Sequence, residues 1–349
     1  MDFLGHDFGQ MILETLINIR ALSIMKHLTI LVPEIQNNII SIAAAYEIFE
    51  TANAYWKDTG RKELFTIQLA GVSEKVDFQG GLFIAKPHIN IAAIPKTDLV
   101  IIPSVSSHSY QKAVQSNKTL IDWIKQQYDN GAEIASLCTG AFMLASSGIL
   151  DGRACSTHWA AGDIFKAMFP MVNFQADKLI TDEKGIYTSG GAYSFLNLAI
   201  YLVEKYYDRP TAIFCSKIFQ IEIDRQSQSP FTIFSRQKQH GDELIRQAQE
   251  YIEKKFRQKI SVDALAARFR TVRRNFDRRF IKATGNTPAE YLQRVKIEAA
   301  KKALETTQKT VNEVMFEIGY TNVRSFRALF KKITGMSPLA YRNRYNNKK

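Results

Sequence analysis

The sequence predicts two folds in one chain: a mostly parallel α/β sheet sandwiched by helices, flavodoxin-like in plan, followed by an all-α double helix-turn-helix domain. Three observations carry this. From Lys26 to about Asp208, apolar strand-like runs alternate with helical patterns, the alternation of a parallel sheet covered on both faces. In the last third, the segment Asn275–Tyr291 recurs as Ser325–Tyr341. The formal charge of +12 is also divided unevenly: residues 236–349 hold 27 Lys and Arg against 11 Asp and Glu, and the preceding 235 residues hold 19 against 23. A chain of 349 residues exceeds one ordinary domain. The boundaries expected are an N-terminal extension at 1–24, a sensor domain at 25–223, a linker at 224–241 and a DNA-binding domain at 242–349.

The segment 1–24 does not read as a signal peptide, because Asp2 and Asp7 fall in the charged region and Glu14 interrupts the apolar stretch. Met25-Lys26-His27 leads directly into an apolar strand, as a start of translation often does, so residues 1–24 read as an upstream extension, with a short amphipathic helix around Met11–Ile19 as the alternative. Strands are then expected at His27–Val32, Leu64–Ala70, Leu99–Pro103, Glu133–Leu137 and Gly185–Thr188. Helices are expected at Ile39–Trp56, Lys118–Asn130, Thr139–Ser147, Trp159–Met168 and Tyr193–Tyr207, with one more at Thr211–Ile221. No apolar run reaches the ~18 residues of a membrane span, so no membrane partner is expected. Cys138, Cys155 and Cys215 form no CxxC pair, which fits a reducing cytoplasm.

The linker, 224–241, is rich in Gln and Ser. Beyond it, each repeat reads as helix, tight turn, helix. Ser261 caps a short helix through Arg268. A second helix spans about Val272–Ala283, with Phe276 and Phe280 as its buried i, i+4 stripe, and Gly285 ends it. Thr287-Pro288-Ala289-Glu290 is a capping box that starts a long helix through about Leu304. In the second unit, Thr310 and Glu313 form another capping box, Gly319-Tyr320 is the turn, and Asn322–Thr334 is the second helix.

Opposite each apolar stripe lies a basic face: Arg273, Arg274, Arg278 and Lys282 in one unit, and Arg324, Arg327, Lys331 and Lys332 in the other. A basic face alone marks a solvated surface more often than a DNA reader. Its recurrence on the second helix of a helix-turn-helix reverses that, because this helix enters the major groove. Two copies joined by one helix reach successive grooves of double-stranded DNA roughly 34 Å apart. Residues 242–345 resemble the AraC/XylS family of transcription regulators, most specifically through Gly319-Tyr320, Phe326, Phe330-Lys331, Gly335, Ser337-Pro338 and Tyr341-Arg342. The resemblance implies that Arg274, Arg278 and Arg324 read bases, for which the two-pronged arginine grip on guanine is suited. Two departures stand out. Val272 replaces the family's capping Ser, which leaves Thr271 to cap, and Ala328 replaces a polar reader.

In the first domain, Ser136-Leu137-Cys138-Thr139-Gly140 lies between a strand and a helix, the pattern of a nucleophile elbow. The helix N-terminus beside the thiol is expected to favour thiolate. Thr157-His158-Trp159 follows, and Thr188-Ser189-Gly190-Gly191 opens a further helix with N–H groups suited to an anion. Cysteine as a small core residue is the competing reading. Together with Gly148, Gly152 and Arg153, these segments resemble the class I glutamine-amidotransferase-like superfamily in its PfpI-like branch. The fusion is similar to the GlxA-type regulators.

The family's enzymes set a carboxylate beside the thiol, where this chain has Ser41, with Glu34 earlier in the loop. Ser104-Val105 replaces the glycine pair that stabilises an oxyanion, and losing such a donor costs ~10²–10³ in rate. The resemblance therefore implies a retired active site. Cys138 and His158 are vestigial catalytic candidates, and Cys138, Thr139, His158, Gly190 and Gly191 line a pocket for a small-molecule effector. Neither cofactor nor metal is expected, and the domain is read as a non-enzyme. The implied effector is a nitrogen-containing metabolite. The implied mode is activation, with RNA polymerase as partner and a homodimer as the assembly. Two alternatives stay open: an active cysteine hydrolase, amidase or deglycase, and a redox sensor with Cys155 as resolving thiol.

Overall fold

A computed structural model of the chain describes residues 25–34, 38–105, 109–234, 237–238 and 240–346. The segment 1–24, expected to be an extension, lies outside them. The described residues fall into two compact units. The first comprises the chain up to 158 with 169–175 and 179–226, and the second comprises 159–168, 176–178 and 227 onward.

In the first unit, β1 (Lys26–Leu31) leads through α1 (Ile39–Asp58) to β2 (Phe65–Gly71). A short hairpin of β3 (Val76–Phe78) and β4 (Phe83–Ala85) follows, then β5 (Ile89–Asn90), β6 (Leu99–Ile102), α2 (Tyr110–Ser116), α3 (Lys118–Asp129) and β7 (Glu133–Ser136). Next come α4 (Ala141–Ser146), β8 (Ala154–Cys155), α5 (Gly162–Met168, in the second unit) and β9 (Asn173–Phe174). The unit ends with β10 (Ile180–Glu183), β11 (Ile186–Ser189), α6 (Phe195–Tyr206) and α7 (Arg209–Ile218). Seven strands form one sheet in the order β10-β11-β7-β6-β1-β2-β5. Every neighbouring pair is parallel except the edge pair β10–β11.

The central strands are short continuous apolar runs because both of their faces are covered. Leu28, Ile30 and Ile101 meet Phe49 of α1 and Leu198 and Leu202 of α6 on one face. Leu120 and Ile124 of α3 and Phe142 and Leu144 of α4 are buried as well. Asn53 shows how a buried polar group is tolerated: its amide nitrogen donates to Phe65 O at 2.7 Å, and its oxygen accepts from Leu64 N, Phe65 N and the Tyr207 hydroxyl. With both its amide nitrogen and its oxygen hydrogen-bonded, it keys α1 to the start of β2.

The fold class expected from the sequence is the one observed, and the five expected strands are present within a few residues. The edge strands β5 and β10 and the ribbons β3–β4 and β8–β9 were not expected. With only two to four residues each, they are too short to express a period. Four helix starts also move. The elements expected from Thr139 and Trp159 open as tight 3₁₀ turns over Cys138–Gly140 and Trp159–Ala161, and those expected from Tyr193 and Thr211 begin at Phe195 and Arg209.

The second unit contains α8 (Glu243–Lys255), α9 (Val262–Arg268), α10 (Arg273–Thr284), α11 (Pro288–Thr306), α12 (Val311–Glu317), α13 (Val323–Thr334) and α14 (Pro338–Tyr345). Both expected capping boxes form, at Thr287/Glu290 and Thr310/Glu313. The N–H groups they receive hold both glutamates below the usual carboxylate range. Gly285 and Gly335 end α10 and α13 in the left-handed conformation, which costs glycine little.

The described residues of the segment read as a linker are packed from Ser229 to Phe234. Pro230 lies against Gly335, Tyr345 donates its hydroxyl to Pro230 O at 3.1 Å, and Lys301 donates to Thr232 O at 2.5 Å. Phe234 meets Tyr291 edge-on at 5.2 Å. Its aromatic residues give this strap an apolar side that a Gln/Ser-rich reading overlooks.

Candidate functional site

The two helix-turn-helix units are built alike. In the first, Phe276 and Phe280 of α10 are fully buried 5.6 Å apart, and Tyr291 of α11 closes the stripe against Phe280 at 5.4 Å. In the second, Phe326 and Phe330 of α13 lie 5.7 Å apart, and Tyr341 closes on Phe330 at 5.5 Å. Each closing tyrosine donates to a glutamate of an earlier helix, Tyr291 to Glu253 and Tyr341 to Glu305. Thus α8 serves the first unit as α11 serves the second. Gly319, at the turn of the second unit, has a positive φ of 79°. A Cβ there would fall 2.2 Å from Arg257 O, so only glycine fits.

The expected basic faces differ residue by residue. Arg274, Arg278 and Lys282 are exposed on α10 with the i, i+4, i+8 spacing of one face, and Arg324, Arg327, Lys331 and Lys332 are exposed on α13. Among the described residues, none of these seven forms an ion pair within the chain, and Arg278 is held only by a hydrogen bond to Asn275. Arg273 stands apart. It is clamped by Asp263 at 2.9 Å and Asp277 at 2.8 Å, so its charge is already neutralised while it ties α9 to α10. The expectation that Thr271 caps α10 is corrected. Val272 holds the N-cap position without a side-chain bond. Thr271 lies one residue too early, and its hydroxyl instead accepts from Asn275 one turn along, at 3.4 Å.

In the α/β unit, Cys138 sits just beyond β7 with φ 53°, the strained turn that an elbow requires. Three neighbours hold it. Its N–H donates to Ser189 Oγ, its carbonyl accepts from Thr157 Oγ1 at 2.9 Å, and Thr139 Oγ1 donates to Val105 O at 2.6 Å. The structure thereby gathers the ends of β6, β7 and β11 with the segment that leads to His158. Gly190 and Gly191 follow β11 and are buried.

Several expectations change here. The thiol is not favoured as thiolate: Cys138 is 5% exposed, and burial pushes its pKa up to about 11. The Thr139 backbone pulls the other way, and the six-residue α4 offers a weak dipole, so desolvation dominates. Burial also holds the His158 imidazole below its ordinary value. The Gly190 N–H donates to Leu179 O at 2.8 Å across the β10 edge and is not open to an anion.

Sequence reasoning missed Tyr110, whose ring stacks on Phe142 at 3.9 Å. Burial and then the nearby Cys138 push its pKa to about 12. Seven-residue α2 carries no long period, so its one signal was Ser109, which caps it. Ser41 is buried. It donates to Asn38 O and accepts from Ser104 N, tying α1 to the loop after β6. Glu34 Oε1, Ser104 Oγ and Ser136 Oγ are buried with no partner among the described residues. All three belong to the carboxyl ends of β1, β6 and β7. Among the described residues, no group of three or more His, Cys, Asp or Glu is placed to hold a metal ion. No helix there is long and apolar enough to cross a membrane.

Two family models match the chain: the DJ-1/PfpI family over residues 46–205 and a helix-turn-helix domain over 265–344. The HTH-type transcriptional regulator GbdR of Pseudomonas aeruginosa is 25% identical over 304 residues, covering 86% of this chain and 80% of that protein. The HTH-type transcriptional regulator GlxA of Rhizobium meliloti is 22% identical over 223 residues, covering 61% of this chain and 66% of that protein. Among solved structures, a protein from Vibrio parahaemolyticus superposes with a TM-score of 0.50 at 22% identity. It covers 56% of this chain and 98% of that one, a likeness of fold.

Proposed function

This chain couples a DJ-1/PfpI domain to an AraC-type helix-turn-helix domain, and from that premise we propose that it is a DNA-binding transcription activator controlled by a small nitrogen-containing metabolite. The effector binds at the carboxyl edge of the sheet, against Cys138, Thr139, His158, Gly190 and Gly191, and no catalysis takes place there. The protein acts in the cytoplasm as a homodimer that engages RNA polymerase. The observation that carries the DNA-binding reading is the repeated second helix whose basic side chains make no ion pair within the chain among the described residues, Arg273 and Arg279 apart. They are left to the phosphates and bases of a duplex.

The ligand side is supported by polar atoms of Glu34, Ser104 and Ser136 that are buried without a partner among the described residues. A buried unsatisfied polar group costs ~1–3 kcal/mol, and open α/β sheets receive ligands at this edge. The absence of catalysis is supported by a thiol with a pKa pushed up to about 11 and by Ser41 in place of a carboxylate. Turnover of small amides or glyoxals that Cys138→Ala abolishes would overturn that reading.

Two measurements test the proposal. Arg278→Ala is expected to relax specificity at one or two base pairs, with a loss of ~1–3 kcal/mol at the preferred site. Lys331→Ala or Lys332→Ala instead weakens all sequences about equally and flattens the salt dependence. Uniform weakening by Arg278→Ala would remove it from base reading. In thiol labelling, Cys138 is expected to react before Cys155 and Cys215, which are 0% exposed, and effector should protect it. Because its folded pKa is raised, the thiolate fraction is small at neutral pH and labelling should accelerate about tenfold per pH unit up to about 11. A rate that is flat with pH, or equal labelling of all three thiols, would refute the pocket assignment.

A further inference from the structure

We propose that Val272 reads DNA sequence by placing its methyl groups against the C5-methyl of a thymine in the major groove that receives α10. This rests on α10 being a DNA-reading helix and adds a residue that the basic face does not contain. Val272 breaks two local rules at once. It holds the N-cap of α10 with no side-chain bond, where Ser, Thr, Asn or Asp would satisfy an orphan N–H. It is also 75% exposed, the highest value among the exposed large hydrophobic side chains described.

The second unit obeys the rule at the matching position, 50 residues on. There Asn322 caps α13, with its side-chain oxygen accepting from Ser325 N at 2.8 Å. The first unit therefore forgoes a stabilising cap and exposes an apolar, β-branched side chain, and neither choice favours the free protein in water.

The surroundings identify the occupant. Val272 stands at the N-terminal end of α10, two residues before Arg274 and six before Arg278, both exposed and without an ion pair among the described residues. A cationic rim of that kind complements a polyanion and opposes an apolar protein partner. In helix-turn-helix units the first residues of the second helix are those that meet base edges. On those edges the thymine methyl is the apolar group presented to the major groove, and aliphatic side chains contact it. An arginine grip on guanine and a valine contact on thymine would thus be read from one turn of helix.

The test uses the full chain and a site selected from genomic DNA. Each thymine of the half-site bound by the first unit is replaced in turn by deoxyuridine, which removes the methyl group and keeps the base pairing. The wild-type protein is expected to lose about fourfold in affinity at one position, the effect of one buried methyl. Val272→Ser should be indifferent to that replacement while keeping the wild-type response at all other thymines. It should also melt at a higher temperature than wild type, because serine restores the cap. The melting shift shows that the variant folds and separates the cap from the contact. A wild-type protein indifferent to every deoxyuridine, a half-site without thymine, or a Val272→Ser variant that keeps the fourfold loss would each overturn the proposal. Failure to select any site would overturn α10 as a DNA reader, and this inference with it.

Discussion

Phe330→Ala is expected to destabilise the second helix-turn-helix unit by about 3–5 kcal/mol and to abolish specific DNA binding. The ring is fully buried between Phe326 and Tyr341, in a cluster that includes Ile297 and Leu304 of α11 and Met315 of α12. The substitution therefore removes the side chain on which three helices converge. A domain's whole stability is only about 5–15 kcal/mol, so a loss of this size consumes much of it. Phe280→Ala should do the same in the first unit, where Phe276 and Tyr291 hold the corresponding ring. Lys332→Ala, on the exposed face of α13, should leave the melting temperature nearly unchanged. If circular dichroism melts of Phe330→Ala and Lys332→Ala coincide, the aromatic stripe does not support the unit.

Gly140→Ala should cost the α/β unit about 3 kcal/mol or more, at or above the upper end of ordinary overpacking. The backbone of Gly140 is an ordinary right-handed turn, so the conflict is purely steric. A Cβ would stand 2.6 Å from Pro103 O and 2.8 Å from Ile102 O. Both obstacles are main chain, and Ile102 O already accepts from Leu137 N at 2.9 Å. Retreat would open the β6–β7 pairing that carries the Cys138 turn. Gly148→Ala provides the contrast, because φ there is 78° with open space around it, and a left-handed alanine costs ~1–2 kcal/mol. Thermal melts that show Gly148→Ala to be the more damaging change would mean that the elbow is not packed as described.

The two helix-turn-helix units of the C-terminal third were legible in the sequence almost to the residue, although α8 and α14 were not among the expected helices. The helix expected over Val272–Ala283 is observed over Arg273–Thr284, and that over Asn322–Thr334 is observed over Val323–Thr334. The signals there are local: capping side chains, glycines that end helices, prolines that open them, and aromatic pairs four residues apart. The central strands of the sheet were legible for a related reason. Burial on both faces leaves an uninterrupted apolar run, which the sequence displays directly.

What only the tertiary structure decided are the properties set by partners distant in the chain. The sharp turn at Cys138 is a local property and was readable from its strand-to-helix setting. The ionisation of its thiol is not, because the desolvation that raises it comes from the core that the fold assembles around it. The Gly190 N–H looked available until β10 paired antiparallel beside it and left Leu179 O as its acceptor. Arg273 looked like part of a DNA-facing surface until the fold brought Asp263 of α9 to it. A helix cap or an apolar period is encoded within a few residues, so sequence alone determined the elements and their faces. The charge a site presents depends on burial and on partners ten or fifty residues away, and only the folded chain determines those.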